Sequence, residues 1–219
     1  GSTLTKVVIG VSGGVDSAVA LACLCRAIGE ENIIAVCLPY GKLNTQGLLD
    51  AKKIIKAYNI PKHQQYTIDI QPVVDLLALY DRTMNSERKG NIMARIRMIF
   101  LYDAAKKSRG LVCGTENKSE HLLGYFTRHG DSASDFEPIR HLYKTQIISL
   151  ARHLLVPEEI CNKAPSAGLY AGQSDEGEFG FSYTDADKVL HLFYDKNYTK
   201  NQIYESGLSA DLVNRVLQR

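Results

Sequence analysis

Two runs of β-branched residues near the beginning of the chain predict buried strands. Residues 6–11 and 32–38 are almost entirely apolar, a pattern typical of strands covered on both faces of a sheet. Two shorter runs, 66–70 and 111–113, predict two further strands. Apolar positions then recur at helical spacing, and they predict helices at 18–28, 48–58, 73–80 and 90–107.

This alternation of strands and helices predicts the fold class. Short connections between the elements favour an α/β fold with a mainly parallel, doubly wound sheet that carries helices on both faces. After Thr115 the strands cease, so we expect a helical C-terminal part, with helices at 119–123, 143–155, 184–192, 199–206 and 210–217.

Three polar stretches predict loops. Residues 81–89 have no periodicity and predict an exposed loop. The stretches 124–135 and 162–178 are longer than most connections in compact domains, and such long loops are typical of lids and binding loops.

Composition limits the class of protein. With 219 residues and 45% hydrophobic content, residues 3–219 can form one domain, and Gly1-Ser2 is typical of a cloning remnant. A net charge of +2 gives no indication of nucleic-acid binding, and no apolar run is long enough to predict a membrane span. Five cysteines without a Cys-x-x-Cys pair argue against a disulfide framework or a zinc site and favour the cytoplasm.

The stretch Ser12-Gly13-Gly14-Val15-Asp16-Ser17 joins the first strand to its helix and predicts an anion site. The first N–H groups of a helix have no acceptor within it, and the helix dipole adds positive potential there. A carboxylate beside a phosphate needs a cation between them, so Asp16 is a candidate Mg²⁺ ligand. The loop lacks the lysine of a Walker A motif, and the alternative interpretation is an ordinary glycine-rich turn.

Leu111 to Glu120 predict a second strand–turn–helix unit. If the fourth strand ends at the same edge as the first, Thr115 reaches the same ligand and Glu120 the same cation. The alternative is that Glu120 merely complements a helix N-terminus. Lys144 lies in the first turn of its helix, where a cation opposes the dipole, and a bound anion would remove this conflict.

The long helix carries Asn91 and Arg95 four residues apart on one face, whereas Arg97 is expected to point elsewhere. The stretch 124–135 combines Tyr125, Phe126, Arg128 and acidic residues, a mixture more typical of a ligand-binding loop than of a solvated one.

Several motifs in order resemble one known family. The loop at Ser12 resembles that of the N-type ATP pyrophosphatases. The segments Gly90 to Met98, Gly114 to Glu120, Gly124 to Asp131, Pro165-Ser166-Ala167 and Gly172 to Glu176 are similar to those of ammonia-dependent NAD⁺ synthetases. The resemblance covers nearly all of residues 6–190 and implies an adenine-nucleotide-hydrolase-like, Rossmann-like fold.

The resemblance implies a reaction and a set of residues. ATP would adenylylate the nicotinate carboxylate of deamido-NAD⁺ and release pyrophosphate, and ammonia would then displace AMP to give NAD⁺. Asp16 and Lys144 would be catalytic, and Mg²⁺ would be held by Asp16 and Glu120. The implied ATP contacts are Gly10, Ser12, Gly13, Gly14, Asp16, Ser17, Thr115, Lys144 and Ser166. The implied deamido-NAD⁺ contacts are Asn91, Arg95, Arg128 and Asp135.

The resemblance also implies a homodimer that binds deamido-NAD⁺ across its interface, with the loops 40–47 and 162–178 closing over the substrates. Members of the family usually carry a helix before the first strand and a Lys-rich segment after the last helix, and this sequence has neither. No glutaminase domain fits within 219 residues, so free ammonia is the expected nitrogen donor.

Two alternative interpretations remain at this stage. One is another ligase with the same Ser-Gly-Gly-x-Asp-Ser loop, such as a GMP-synthetase-like or tRNA-thiolation enzyme. The other is a nucleotide-binding dimer that has lost its activity, although intact Asp16, Glu120 and Lys144 argue against it.

Overall fold

A parallel four-stranded sheet forms the centre of the protein. A computed structural model describes residues 5–170 and 172–219, so the interpretation of Gly1-Ser2 lies outside the described residues. All three strand pairs are parallel, and the order across the sheet is β3-β2-β1-β4. The strands are β1 (Lys6–Gly10), β2 (Ile33–Cys37), β3 (Gln65–Thr67) and β4 (Gly110–Cys113).

Successive side chains of these strands enter two different cores because a strand alternates its side chains between the two faces of a sheet. Val8 of β1 packs with Ile34 and Val36 in one core, whereas Ile9 packs with Ala35 in the other. The apolar runs are therefore continuous because both faces are covered, which confirms the predicted doubly wound arrangement.

Eleven helices surround the sheet or extend from it within the described ranges. They are α1 (Val15–Ile28), α2 (Thr45–Ala57), α3 (Gln71–Ala78), α4 (Ser86–Ser108), α5 (Lys118–Leu123), α6 (Lys144–His153), α7 (Glu158–Cys161), α8 (Asp175–Phe179), α9 (Tyr183–Leu190), α10 (Lys200–Glu205) and α11 (Ala210–Leu217). Short 3₁₀ turns precede β2 and β3, and a π-helical turn at His191–Asp195 follows α9.

The helices divide into three groups according to the core that each one covers. Residues of α1, α2, α6 and α7 pack in the core on one face of the sheet, and residues of α3 and α4 pack on the other. The third core joins α5 to α8–α11, and its buried members include Phe179, Phe181 and Tyr183. The predicted helical C-terminal part therefore has a core of its own beside the sheet.

The strand order places a crevice beside the end of β1. The chain runs outward from β1 to β3 and then crosses back along α4, so that β4 pairs with the other side of β1. In sheets of this kind, ligands bind outside the carboxyl ends of the strands where the order reverses. The loops after β1 and β4 meet at this point.

Several element boundaries differ from the expected ones. The stretch 81–89 is only partly a loop, since α4 begins at Ser86, where the Asn85 side chain caps it by accepting a bond of 2.9 Å from Arg88 N. Similarly, α2 begins at Thr45 because Asn44 caps it. In the described residues, no helix combines the length and apolar character that crossing a membrane requires.

Candidate active site

A cleft of about 1050 Å³ opens at the carboxyl edge of the sheet, where the loops after β1, β2 and β4 converge. This volume lies at the upper end of the range for small-molecule sites and leaves room for a nucleotide together with a second substrate. Ten of the residues singled out from the sequence line it: Gly10, Ser12, Gly14, Asp16, Ser17, Asn91, Thr115, Glu120, Lys144 and Ser166.

The loop after β1 has an internal scaffold. The buried Ser17 hydroxyl donates to Gly14 O at 3.0 Å and accepts from Ser12 N at 3.2 Å, while Gly14 N donates to Ser12 Oγ at 3.3 Å. Ser17 therefore holds the turn in shape, and because it also lines the cleft, its contact with ATP stays a prediction. The turn directs the N-terminus of α1 into the cleft.

The two loop glycines serve different purposes. Gly13 adopts a φ of +83°, and a Cβ atom there would lie 2.1 Å from Gly47 O of α2. Gly13 does not line the cleft. Because it has no side chain, α2 can pack closely against the loop at this position. Gly14 lines the cleft and has an ordinary extended conformation.

Three charged side chains from distant parts of the sequence meet at the centre of the site. Lys144 Nζ lies 2.5 Å from Asp16 Oδ2 and 3.3 Å from Glu120 Oε1. Only 3% of the Lys144 side chain is exposed, and its ammonium lies 5.2 Å from the centroid of the Tyr183 ring. The conflict between Lys144 and its helix dipole is therefore relieved by the protein's own carboxylates.

The close packing of these charges changes their proton affinities. Burial alone would lower the pKa of the Lys144 ammonium, but Asp16 and Glu120 outweigh burial and raise it above its usual value. Burial raises the pKa of Glu120, and the Asp16 carboxylate adds to this rise while Lys144 opposes it. Lys144 therefore keeps its positive charge at neutral pH even though it is buried.

Asn117 is a site residue whose role sequence reasoning missed. Its side-chain Nδ2 donates to Asp16 Oδ1 at 2.9 Å, and its Oδ1 accepts from Glu120 N at 3.0 Å. In return, Asn117 N donates to Glu120 Oε2 at 3.3 Å, and the two bonds together form a capping box at the start of α5. The Asn-x-x-Glu spacing could have predicted the cap, but not the contact with Asp16.

Arg97 also lies in the cleft, contrary to the expectation that it points elsewhere. It shares one side of α4 with Ala94, Met98 and Leu101, which also line the cleft, and its Nε donates to Leu38 O at 3.0 Å. Burial lowers the pKa of the Arg97 guanidinium. The available signal in the sequence was that Arg97 lies four residues from both Met93 and Leu101, and therefore on the same side of the helix as these apolar residues.

Of the four residues expected to contact deamido-NAD⁺, one lines the cleft and three lie outside it. Asn91 lines it and accepts a bond of 2.7 Å from the Thr127 hydroxyl. Arg95 and Arg128 are exposed outside it, and Arg95 Nε donates to Arg128 O at 3.2 Å. Asp135 lies apart from them, because its carboxylate accepts from Val112 N of β4 at 2.7 Å.

Two loops border the open side of the cleft. Tyr40 of the first loop contributes to the wall and donates a short hydrogen bond to Asp75 of α3. In the second loop, which is described except for Ala171, Ser166 Oγ donates to Gln173 O at 2.7 Å. Lys163 anchors this loop to α2 through Asp50, whose Oδ2 lies 2.9 Å from Lys163 Nζ.

Comparisons with known proteins identify the family. The sequence profile of the NAD synthase family matches residues 1–219, and the chain belongs to this family. It is 44% identical over 214 residues to the NH₃-dependent NAD⁺ synthetase of Pelodictyon phaeoclathratiforme, a match that covers 97% of this chain and 76% of the relative. The family resemblance inferred from the motifs is confirmed.

Solved structures agree with this assignment. An NMN synthetase from Francisella tularensis superposes with a TM-score of 0.83 at 37% identity, covering 98% of this chain and 83% of that one. The NH₃-dependent NAD synthetase of Campylobacter jejuni gives a TM-score of 0.82 at 33% identity, covering 100% and 85%. The α/β Rossmann-like fold is thus confirmed, and the GMP-synthetase-like and thiolation interpretations are not favoured.

Outside the cleft, the carboxyl groups of Glu116 and Glu137 lie close to His121 and Arg140. Glu116 Oε1 is 3.2 Å from His121 Nδ1, and Oε2 is 3.7 Å from the Arg140 guanidinium. Within the described ranges Glu116 Oε2 has no hydrogen-bond partner. Burial raises the pKa of Glu116 to about 7, and the neighbouring Glu137 carboxylate adds to this rise, whereas Arg140 opposes it.

This raised pKa predicts a pH-dependent cost to stability. Between about pH 4.5 and 7, Glu116 is ionised in the unfolded chain but protonated in the folded one, so its contribution to the unfolding free energy falls as pH rises. Glutamine does not titrate, so the unfolding free energy of Glu116→Gln, taken relative to that of the wild type, should increase by roughly 1–3 kcal/mol from pH 4 to pH 8. Chemical denaturation at both pH values measures this difference.

The matched control is Glu205→Gln, because Glu205 is exposed on α10. Its stability relative to the wild type should be the same at both pH values. A Glu116→Gln difference that is equally insensitive to pH would show that this carboxyl titrates normally.

Proposed function

We propose that the protein joins ammonia to the nicotinate carboxyl group of deamido-NAD⁺ at the expense of ATP, forming NAD⁺, AMP and pyrophosphate. The observation that carries the proposal is the buried Lys144 ammonium beside Asp16 and Glu120, in the cleft that the N-terminus of α1 also lines. This arrangement supports phosphate chemistry, and membership of the NAD synthase family supports the substrates.

The chemistry needs two displacements because a carboxylate is a poor electrophile. In the first, a carboxylate oxygen attacks the α-phosphorus of ATP, the bond to the bridging α–β oxygen breaks, and pyrophosphate leaves. In the second, the nitrogen of ammonia attacks the acyl carbon, AMP leaves with the electron pair of the C–O bond, and the nitrogen loses a proton. Catalysis of both steps depends on positioning and on stabilising negative charge.

The residues of the cleft supply the required positive potential. Lys144 would release its carboxylate partners and turn toward the phosphates, while the N–H groups at the start of α1 bind the departing pyrophosphate. Gly10, Ser12, Gly14, Ser17, Thr115 and Ser166 line the same space and are proposed ATP contacts together with Asp16 and Lys144. Gly13 is the remaining proposed contact, and Gly13 and Ser17 also maintain the shape of the loop.

Mg²⁺ is the proposed cofactor, with Asp16 and Glu120 as its protein ligands. Their oxygen donors suit this hard cation, which is usually held by one or two carboxylates together with substrate phosphates. In the described part of the chain, no cluster of three or more His, Cys, Asp or Glu residues could hold a metal without the substrate. When bound, Mg²⁺ neutralises phosphate charge and so aids departure of pyrophosphate.

The acceptor nucleotide is proposed to lie along the outer side of α4. Asn91 reaches the cleft, and Arg95 and Arg128 lie beside one another at its margin. Asp135 is the fourth proposed contact. Its Oδ2 accepts from Val112 N, so Oδ1 is the oxygen proposed to accept from the ligand. The loops 40–47 and 162–178 would close over the bound substrates.

We also propose a homodimer that uses this side of α4. Arg95 and Ile99 lie one helical turn apart, and Ile99 is 54% exposed. Leu76, Leu79 and Tyr80 at the end of α3 are exposed as well. A partner chain that covers these apolar side chains would reach the proposed acceptor site. The five free cysteines fit a reducing compartment, and we propose the cytoplasm.

A product assay tests the proposed reaction. With deamido-NAD⁺, MgATP and ammonium, we expect NAD⁺ and AMP in equal amounts, and neither product after EDTA removes Mg²⁺. Asp16→Ala should lose nearly all turnover, because the variant removes one of the two proposed protein ligands of Mg²⁺. Release of ADP in place of AMP would contradict the mechanism, and ATP binding without turnover would favour the inactive nucleotide-binding dimer.

The same assay compares two acceptors. Because one structural neighbour is an NMN synthetase, the acid counterpart of NMN is a second candidate substrate. We expect a higher kcat/KM with deamido-NAD⁺, and the reverse order would assign the chain to mononucleotide amidation.

Arg95→Ala tests the proposed acceptor site. Loss of this guanidinium should raise the KM for deamido-NAD⁺ about tenfold or more while changing the KM for ATP less than twofold. Arg26→Ala, a substitution of an exposed arginine in the last turn of α1, is the control and should change neither value. Equal increases for both substrates with Arg95→Ala would assign Arg95 to structure or to ATP.

Ile99→Glu tests the proposed dimer. A charge at this exposed apolar position should make association unfavourable, so light scattering should give the 24.3 kDa mass of one chain, against twice that mass for the wild type. Leu49→Glu on α2, where Leu49 is 50% exposed, is the matched control and should remain dimeric. A monomeric wild type would contradict the dimer.

A further inference from the structure

A buried carboxylate outside the cleft is connected to the charged centre by hydrogen bonds. Asp187 of α9 is 5% exposed and does not line the cleft. Its Oδ2 accepts from both Thr145 N at 2.9 Å and Thr145 Oγ1 at 2.8 Å, and its Oδ1 accepts from Ser119 Oγ at 2.5 Å. A buried carboxylate is tolerated only with such partners, and here three donors satisfy it.

Ser119 extends this network to the backbone of Lys144. While its hydroxyl donates to Asp187, its Oγ accepts from Lys144 N at 2.9 Å. Asp187 and Ser119 together therefore bind the first two N–H groups of α6, which have no acceptor within the helix. The negative charge of Asp187 also stabilises the positive end of the α6 dipole.

The network connects α5 and α6, the helices that carry two of the three charged side chains, Glu120 and Lys144. Ser119 immediately precedes Glu120 in α5, and Lys144 is the first residue of α6. Through Ser119 and Thr145, the Asp187 carboxylate fixes the beginning of one helix against the other. Lys144 Nζ reaches Asp16 and Glu120 only if these helix ends keep their relative position.

We propose that Asp187 is a positioning residue for Lys144, acting through Ser119 and Thr145 without touching the substrates. Its catalytic consequence rests on the proposed function, in which the Lys144 ammonium stabilises charge on the phosphates. A displacement of about 1 Å at such a group can cost on the order of a hundredfold in rate. A purely structural role would instead stabilise the fold and leave Lys144 in place.

The test is Asp187→Asn in the full chain. The amide retains the shape but brings an NH₂ group toward donors that need acceptors, so α6 should shift. We expect kcat to fall at least tenfold while the KM for deamido-NAD⁺ changes less than twofold, because the proposed acceptor contacts lie elsewhere. Asp185→Asn is the matched control, since Asp185 lies on the same helix with its side chain 45% exposed.

A double variant separates positioning from general stability. In the Lys144→Ala background the ammonium is gone, so adding Asp187→Asn should change kcat less than twofold. If Asp187→Asn lowers kcat by the same factor in both backgrounds, the two residues act independently and the proposal is overturned.

A spectroscopic measurement tests the position of Lys144 without activity. Ammonium protons that are buried and hydrogen-bonded exchange slowly, so the Lys144 signal should appear in a ¹H–¹⁵N spectrum of ¹⁵N-lysine-labelled protein and vanish in Lys144→Arg. We expect Asp187→Asn to shift or broaden this signal and Asp185→Asn to leave it unchanged. An unchanged signal in Asp187→Asn overturns the proposal, even if the wild type makes no NAD⁺ and the proposed function itself fails.

If Asp187→Asn does not fold, Ser119→Ala takes its place. This variant keeps the charge of Asp187 and its two bonds to Thr145 but removes the connection to Lys144 N. We expect a severalfold loss of kcat and a shifted Lys144 signal. Wild-type values for both would overturn the proposal.

Discussion

The buried ion pairing of Lys144 with Asp16 and Glu120 is the interaction on which the site depends. The three residues come from the first helix, from the helix after the fourth strand and from the helix after a long loop. A buried ammonium without these partners would carry a large desolvation penalty, and the carboxylates without it would repel one another. The triad therefore requires the sheet, α5 and α6 to have their observed positions.

The sheet satisfies this requirement by bringing the ends of β1 and β4 side by side. Parallel pairing places Ile9 opposite Cys113, so the loops that follow both strands begin at the same level. Asn117 then joins those loops, since it caps α5 and donates to Asp16. The contacts among the three charged side chains therefore depend on the register in which β1 pairs with β4.

Much of this architecture could be predicted from local sequence. The runs that became β1 and β2 are apolar throughout because both faces of the sheet are covered, and the loop at Ser12 has the composition of an anion site. Boundaries were less accurate: the caps Asn44 and Asn85 extend α2 and α4 by several residues into stretches that lack apolar periodicity. The approach of Glu120 to Asp16 was expected from the two strands ending at one edge, whereas the direct contact of Lys144 with both carboxylates was not predicted, because no local pattern contains it.

Other site residues could not be predicted because their roles arise from tertiary contacts. Asp187 stands in an amphipathic helix pattern like many exposed aspartates, and only the packing of α9 against α5 and α6 buries it. Arg97 occupies a position within the core-facing side of α4, where a charged residue is unexpected. Ser17 was expected only as an ATP contact, and the bonds by which its hydroxyl holds the loop exist only once the turn has formed.

The alternation of side chains along β1 also limits how this chain can change by insertion and deletion. Val8 and Ile9 belong to opposite cores, so one residue added within the strand would exchange the cores of every position that follows it. The turn at Ser12 would then leave the strand with the opposite orientation, away from Asn117. Changes of length are therefore excluded from this strand and confined to the surface loops, where variation leaves the register intact.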